Sequence, residues 1–141
     1  MKSLRLLLVF TALLSSCAQP VSEETAARAE TGKSEAALRV LEHNCVHCHG
    51  DNRLSTMPPI NDTRAISKLI GSRWIVPGRP EASRFYQVVI FPDEIPGAMP
   101  PSGHAISRKD AQILRHWIRD GAPLPAQNVE LTPRGPLPRS I

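Results

Sequence analysis

The chain has 141 residues with 17 Lys and Arg against 13 Asp and Glu, a formal charge of +4. Lys2 and Arg5 sit in an N-terminal leader, and taking them away leaves +2, too small a surplus to argue for nucleic acid. The remainder is long enough for one domain with a small core, and aromatic residues are only 4% of the chain, so a body built on its own large side chains would be marginal.

Residues 1–16 read as a secretory signal: Lys2 and Arg5 form the positive region, and the apolar run from Leu6 to Leu14 is too short to span a bilayer. Leu14-Ser15-Ser16-Cys17 closes it in a form that resembles a bacterial lipobox, in which Cys17 is acylated and becomes the mature N-terminus. The rival is an ordinary signal peptide with Cys17 left as a free thiol. Residues 17–33 are polar and small and read as a tether, flexible or loosely helical.

Ser34 is placed to cap a first helix with Leu38, Leu41 and Cys45 on one face. That helix delivers Cys45-Val46-His47-Cys48-His49, the C-x-x-C-H form of a c-type haem attachment site. Two thiols three residues apart can add to the two vinyl groups of one haem, and the adjoining imidazole becomes a ligand to the iron. Gly50 is expected to stop the helix in a left-handed conformation. A thioredoxin-like dithiol would want a preceding strand where the residues read as helix, and structural zinc would need four ligands, which His43, His104 and His116 do not supply at finger-like spacing. With Cys17 on lipid and Cys45 and Cys48 on haem, no thiol remains for a disulfide.

A loop containing Met57-Pro58-Pro59 comes next, and Pro58 or Pro59 is a candidate to offer a carbonyl to the second nitrogen of His49. Asp62 or Thr63 caps a short helix with Ile66, Leu69 and Ile70 inward, ending at Gly71. Trp74 to Gly78 is extended and then turns. Pro80 opens a third helix with Phe85, Val88 and Val89 as its buried stripe. Between Phe91 and Gly103, four prolines and two glycines forbid helix and ladder alike, and a structureless stretch of that length points to a function, centred on Met99. Ser107, with Asp110 three residues on, starts a last helix that buries Ile113 or Leu114, Trp117 and Ile118 and ends at Gly121. Residues 123–141 read as a solvated, proline-rich tail.

The pentad, then Val76-Pro77-Gly78-Arg79-Pro80-Glu81-Ala82-Ser83, then Met99-Pro100-Pro101-Ser102-Gly103, and finally Leu114, Trp117-Ile118 and Gly121-Ala122, resemble the mono-haem class I cytochrome c domain called planctomycete-type cytochrome c. The resemblance implies an all-α fold over residues 34–122, several short helices around one covalent haem c, with the last helix packed across the haem-bearing first. It implies His49 as proximal iron ligand and Met99 as distal ligand. A thioether on a proline-locked loop suits that second role, and Met57, also followed by two prolines, is the rival. His104, close to Met99 in sequence, is a further candidate. Trp74, Arg73 and Arg79 are candidates for contact with the haem propionates. The expected function is a membrane-tethered periplasmic one-electron carrier serving redox partner proteins, not an enzyme. The alternatives are a five-coordinate haem enzyme or gas sensor, and an electron-entry subunit of a dehydrogenase complex. Ala18 after Cys17 lacks the aspartate that resembles an inner-membrane retention signal, which directs the expectation to the outer membrane.

Overall fold

The computed structural model describes residues 22–51, 53–92, 94–101 and 105–135. In chain order the elements are α1 (Glu23–Asn44), α2 (Val46–His49), α3 (Thr63–Ser67), a 3-10 turn (Pro80–Ala82), α4 (Arg84–Val89) and α5 (Arg108–Arg119). The described residues form no β-strand, only isolated bridges pairing Asp62 with Glu130 and Ile70 with Ile75. The fold is all-α, held by loops as much as by helices. The leader and Cys17 lie outside the described residues, and no described helix is long and apolar enough to cross a membrane.

Helix α1 starts well before the position that apolar spacing indicates. Ser22, not Ser34, is its N-cap, accepting from the Thr25 N–H, and Glu23 and Glu24 come next, where the helix dipole favours negative charge. Its first half is exposed and stands on the propensity of Ala and Glu, with one Glu24–Arg28 pair along the surface. Burial begins at Ser34, whose hydroxyl has no partner, and continues through Ala37, Leu38, Val40 and Leu41. The helix is interrupted at Cys45, where φ stretches to −119° while the N–H still donates to the Leu41 carbonyl, and α2 resumes for a single turn.

Gly50 ends α2, but not in the left-handed conformation expected of it: φ is −78° and ψ is −153°. Space explains the glycine instead. A Cβ there would lie 2.7 Å from the Val46 carbonyl oxygen, inside any tolerable contact.

Helix α5 packs on α1, with Leu114, Trp117 and Ile118 joining Ala37, Leu38 and Leu41 in one core. Each fully buried Leu or Ile there contributes about 1.5–3 kcal/mol. Leu114, not Ile113, is the fully buried member of the pair. Ser107 caps α5 by accepting from the Asp110 N–H, while its hydroxyl donates to the Asp110 carboxylate. Gly121, with φ of +98°, closes the helix as expected.

Residues 76–83 dock on the C-terminal half of α5. The Gly78 N–H donates to the Ile118 carbonyl at 2.8 Å, and Arg115 pairs with Glu81. Ser83, fully buried, accepts from the Val76 N–H at 2.9 Å and donates to the Arg79 carbonyl at 2.9 Å, so one hydroxyl closes the whole turn. Pro80 opens the 3-10 turn, and the helix proper begins only at Arg84.

The C-terminal segment departs most from its expected state. Residues 123–135 are exposed at most positions, as a solvated tail would be, but hydrogen bonds and one buried side chain tie them to the body. The Trp117 indole N–H donates to the Pro123 carbonyl, Asn128 receives the Arg64 N–H at the start of α3, and Leu131 is buried in the core. The prolines stop this segment from forming a helix without stopping it from packing.

Candidate functional site

The loop between α2 and α3 turns back on the pentad. Pro58 and Pro59 carry no N–H, so the loop is fixed by its neighbours: the Ile60 N–H donates to the His49 carbonyl at 3.0 Å and the Ile60 side chain is buried. This return places the Pro58 carbonyl oxygen 2.9 Å from His49 Nδ1. A carbonyl can only accept, so Nδ1 carries the proton and Nε2 is the nitrogen left with a lone pair for a metal.

In front of His49 lies a cavity of about 490 Å³, within the range of roughly 300–1,000 Å³ typical of small-molecule and cofactor sites. Cys45, Cys48 and His49 line it, and so do Met57 and Met99. The stripe of α4 read from the sequence as core, Phe85, Val88 and Val89, faces this cavity and gives it much of its apolar wall, with Ile60 and Trp74 adding to it. Met99 is held at the backbone, its N–H donating to the Val88 carbonyl at 2.8 Å, so the proline loop is tied to α4 where Met99 enters. Pro100 is buried and lines the cavity with it.

The two thiols differ in setting. Cys48 is exposed, whereas burial pushes the Cys45 thiol up to about 12, with the neighbouring Cys48 adding to the effect. That is the reverse of the depressed pKa that a reactive dithiol needs. Among the described residues no three His, Cys, Asp or Glu side chains gather where they could hold a metal ion by themselves.

Of the cationic candidates, Arg79 does not reach the cavity. It is exposed, in front of the 3-10 turn, with its carbonyl engaged by Ser83. Arg84, at the start of α4, lines the cavity instead and lies over the Phe91 ring at 5.4 Å. Arg73 stacks on Trp74 at 5.6 Å, and its carbonyl accepts the Arg84 N–H. The sequence signal for Arg84 was its place one residue before the apolar stripe; helix α4 starts there, and Arg84 and Phe85 both line the cavity. His43 and His116 are not cavity residues, His47 is half-buried with Nε2 unpartnered, and His104 lies outside the described residues.

Comparison with known proteins finds no matching family model, curated protein or solved structure. The site therefore stands on its own residues. What they assemble is an apolar chamber with one oriented imidazole, two thiols and two thioethers on its walls, and a guanidinium among its lining residues.

Proposed function

We propose that this chain is a c-type cytochrome, an exported one-electron carrier with one haem bound covalently through Cys45 and Cys48. The observation that carries the reading is the His49 Nδ1–Pro58 hydrogen bond beside the C-x-x-C-H turn, in a cavity lined mostly by apolar side chains, two methionines among them. Cytochrome c domains of class I, in the planctomycete-type form, are the fold this arrangement fits.

The residues fit the group chemically. Cys45 and Cys48 would each add across a vinyl double bond, sulfur bonding one carbon and the thiol hydrogen passing to the other, with nothing lost. His49 would bind iron through Nε2, its ring fixed by Pro58. Met99 would supply the soft sixth ligand, with Met57 on the same cavity as its competitor. Phe85, Val88, Val89 and Ile60 would shield the haem faces from water, and Arg84, among the lining residues, would be available to a propionate. A haem so held supplies one-electron exchange between ferric and ferrous iron, at a potential that His/Met ligation raises. Lipid at Cys17 would keep the carrier at a membrane surface, and the outer membrane is the one its neighbouring Ala18 suits.

Absorption spectra of the haem-loaded protein, oxidised and reduced, test this reading. The weak long-wavelength ferric band that marks methionine sulfur on iron is expected in the wild type and in Met57→Ala, and is expected to vanish in Met99→Ala. A five-coordinate wild type that shifts on adding carbon monoxide would point to the enzyme or gas-sensor class instead.

A further inference from the structure

The C-terminal segment reaches both chain stretches that flank the pentad. On one side, the Leu131 N–H donates to the Asn61 carbonyl at 2.8 Å, three residues beyond Pro58, and the Leu131 side chain is buried with Ile60 in the core. Thr63 extends that seam: its N–H donates to the Val129 carbonyl at 3.0 Å, and its hydroxyl accepts from the Val129 N–H at 2.9 Å. On the other side, three residues before Cys45, the buried Glu42 is gripped twice. Arg134 Nε lies 2.6 Å from its carboxylate, and the Arg134 N–H donates to its carbonyl at 3.1 Å. The Thr132 N–H reaches the same carboxylate at 3.4 Å.

We propose that residues 128–134 act as a strap that positions His49, by holding the Pro58 carbonyl on Nδ1. This inference rests on the haem reading of the cavity. Its logic is one of anchors. Pro58 and Pro59 have no N–H with which to fix themselves, and no helix or strand includes them. The carbonyl that orients the imidazole is therefore located by its neighbours on both sides: Met57, whose N–H donates to the Leu54 carbonyl and whose own carbonyl accepts from Arg53 Nε, then Ile60, through its bond to His49, and Asn61, held at its side chain by Asp51 and at its carbonyl by Leu131 of the strap. The strap also secures the α1 turn from which Cys45 emerges, so the two ends of the haem-binding turn share one brace. A hydrogen bond from Nδ1–H to a carbonyl makes Nε2 a stronger donor, which favours ferric over ferrous iron. Loosening the strap weakens that donation and raises the reduction potential.

The test uses the full haem-bearing chain as wild type, Leu131→Ala, Leu131→Met and, as a control in the core of α5, Ile118→Val. Potentials are read by voltammetry, and exchange of the His49 Nδ1–H and the Ile60 amide by NMR of the reduced protein. Leu131→Ala is expected to raise the potential and to speed both exchange rates by about tenfold. Leu131→Met restores both, and Ile118→Val leaves the potential in place. Arg134→Met, which removes only a half-exposed partner, carries the same expectation at reduced size, so a Leu131→Ala chain that does not fold leaves the question decidable. An unmoved potential with unchanged His49 and Ile60 protection overturns the strap, as does an equal shift in Ile118→Val. A wild-type chain that binds no haem shows no Soret absorption and removes the haem reading itself, a result distinct from a haem protein whose potential ignores the strap.

Discussion

Ser83→Ala is the sharpest test of how residues 76–83 are held together. The hydroxyl is fully buried and serves two backbone groups, the Val76 N–H and the Arg79 carbonyl, each at 2.9 Å. Alanine removes one oxygen and leaves almost no change in volume, so packing contributes little. The Arg79 carbonyl keeps a second donor, the Ala82 N–H at 3.1 Å. The Val76 N–H is only partly accessible, and an orphaned buried donor costs about 1–3 kcal/mol, so a loss of about 2 kcal/mol is expected. The hydrogen bond from Gly78 to Ile118 adds leverage, because a loosened turn also loosens its seat on α5. Urea unfolding monitored by far-UV dichroism gives the value, provided the slope with denaturant is unchanged. Ser67→Ala, whose exposed hydroxyl only donates to the Arg64 carbonyl, serves as the control and is expected within about 0.5 kcal/mol of wild type. A Ser83→Ala loss no larger than that of the control would refute the assignment of Ser83 as the closure of the turn.

Gly50→Ala forces a Cβ to within 2.7 Å of a backbone oxygen and is expected to cost about 1–3 kcal/mol, with incomplete haem attachment because the displaced turn carries Cys48 and His49; unfolding curves and haem content per chain check this. Its own backbone N–H and then Arg115 hold the Glu81 carboxyl below its ordinary range, and Lys33 followed by Arg119 does the same for Asp120. Both folded-state values are depressed, so the contribution is present above the unfolded pKa and is lost as pH falls through the folded one. The melting temperature of Arg115→Met should therefore fall less steeply on acidification than that of wild type, and a parallel decline would contradict the pairing. If haem fills the apolar cavity around Trp74 and Phe85, replacing both Cys45 and Cys48 with Ala is expected to leave it unfilled and the near-UV dichroism weak; full, fixed aromatic signals would show that the chain packs without haem.

Much of the architecture was legible because it comes from periodicity and punctuation. Leu38 and Leu41 on α1, Leu114, Trp117 and Ile118 on α5, the Asp62 and Ser107 caps and the Gly121 stop all carry local signals. The start of α1 was only half legible, residues 17–33 reading as flexible or loosely helical, because an exposed helix has no apolar stripe; Ser22, the acidic first turn and the run of Ala and Glu were its signs. The docked C-terminal segment was hidden for a related reason. Val129 and Leu131 are isolated apolar residues in a proline-rich stretch, and the partners of this segment, Thr63, Asn61 and Glu42, are distant in sequence. Within the site, the pentad and the Pro58 carbonyl were readable from order along the chain. That Arg84 lines the cavity and Arg79 does not was not readable, because it depends on where a 3-10 turn gives way to α4.

The most direct measurement of the central claim is intact-protein mass spectrometry, under denaturing conditions, of chain produced with the haem-attachment machinery of an exporting host. One haem retained per chain, and lost when Cys45 and Cys48 are both replaced by Ser, is the predicted result. A wild-type chain that emerges at its bare polypeptide mass would contradict the account.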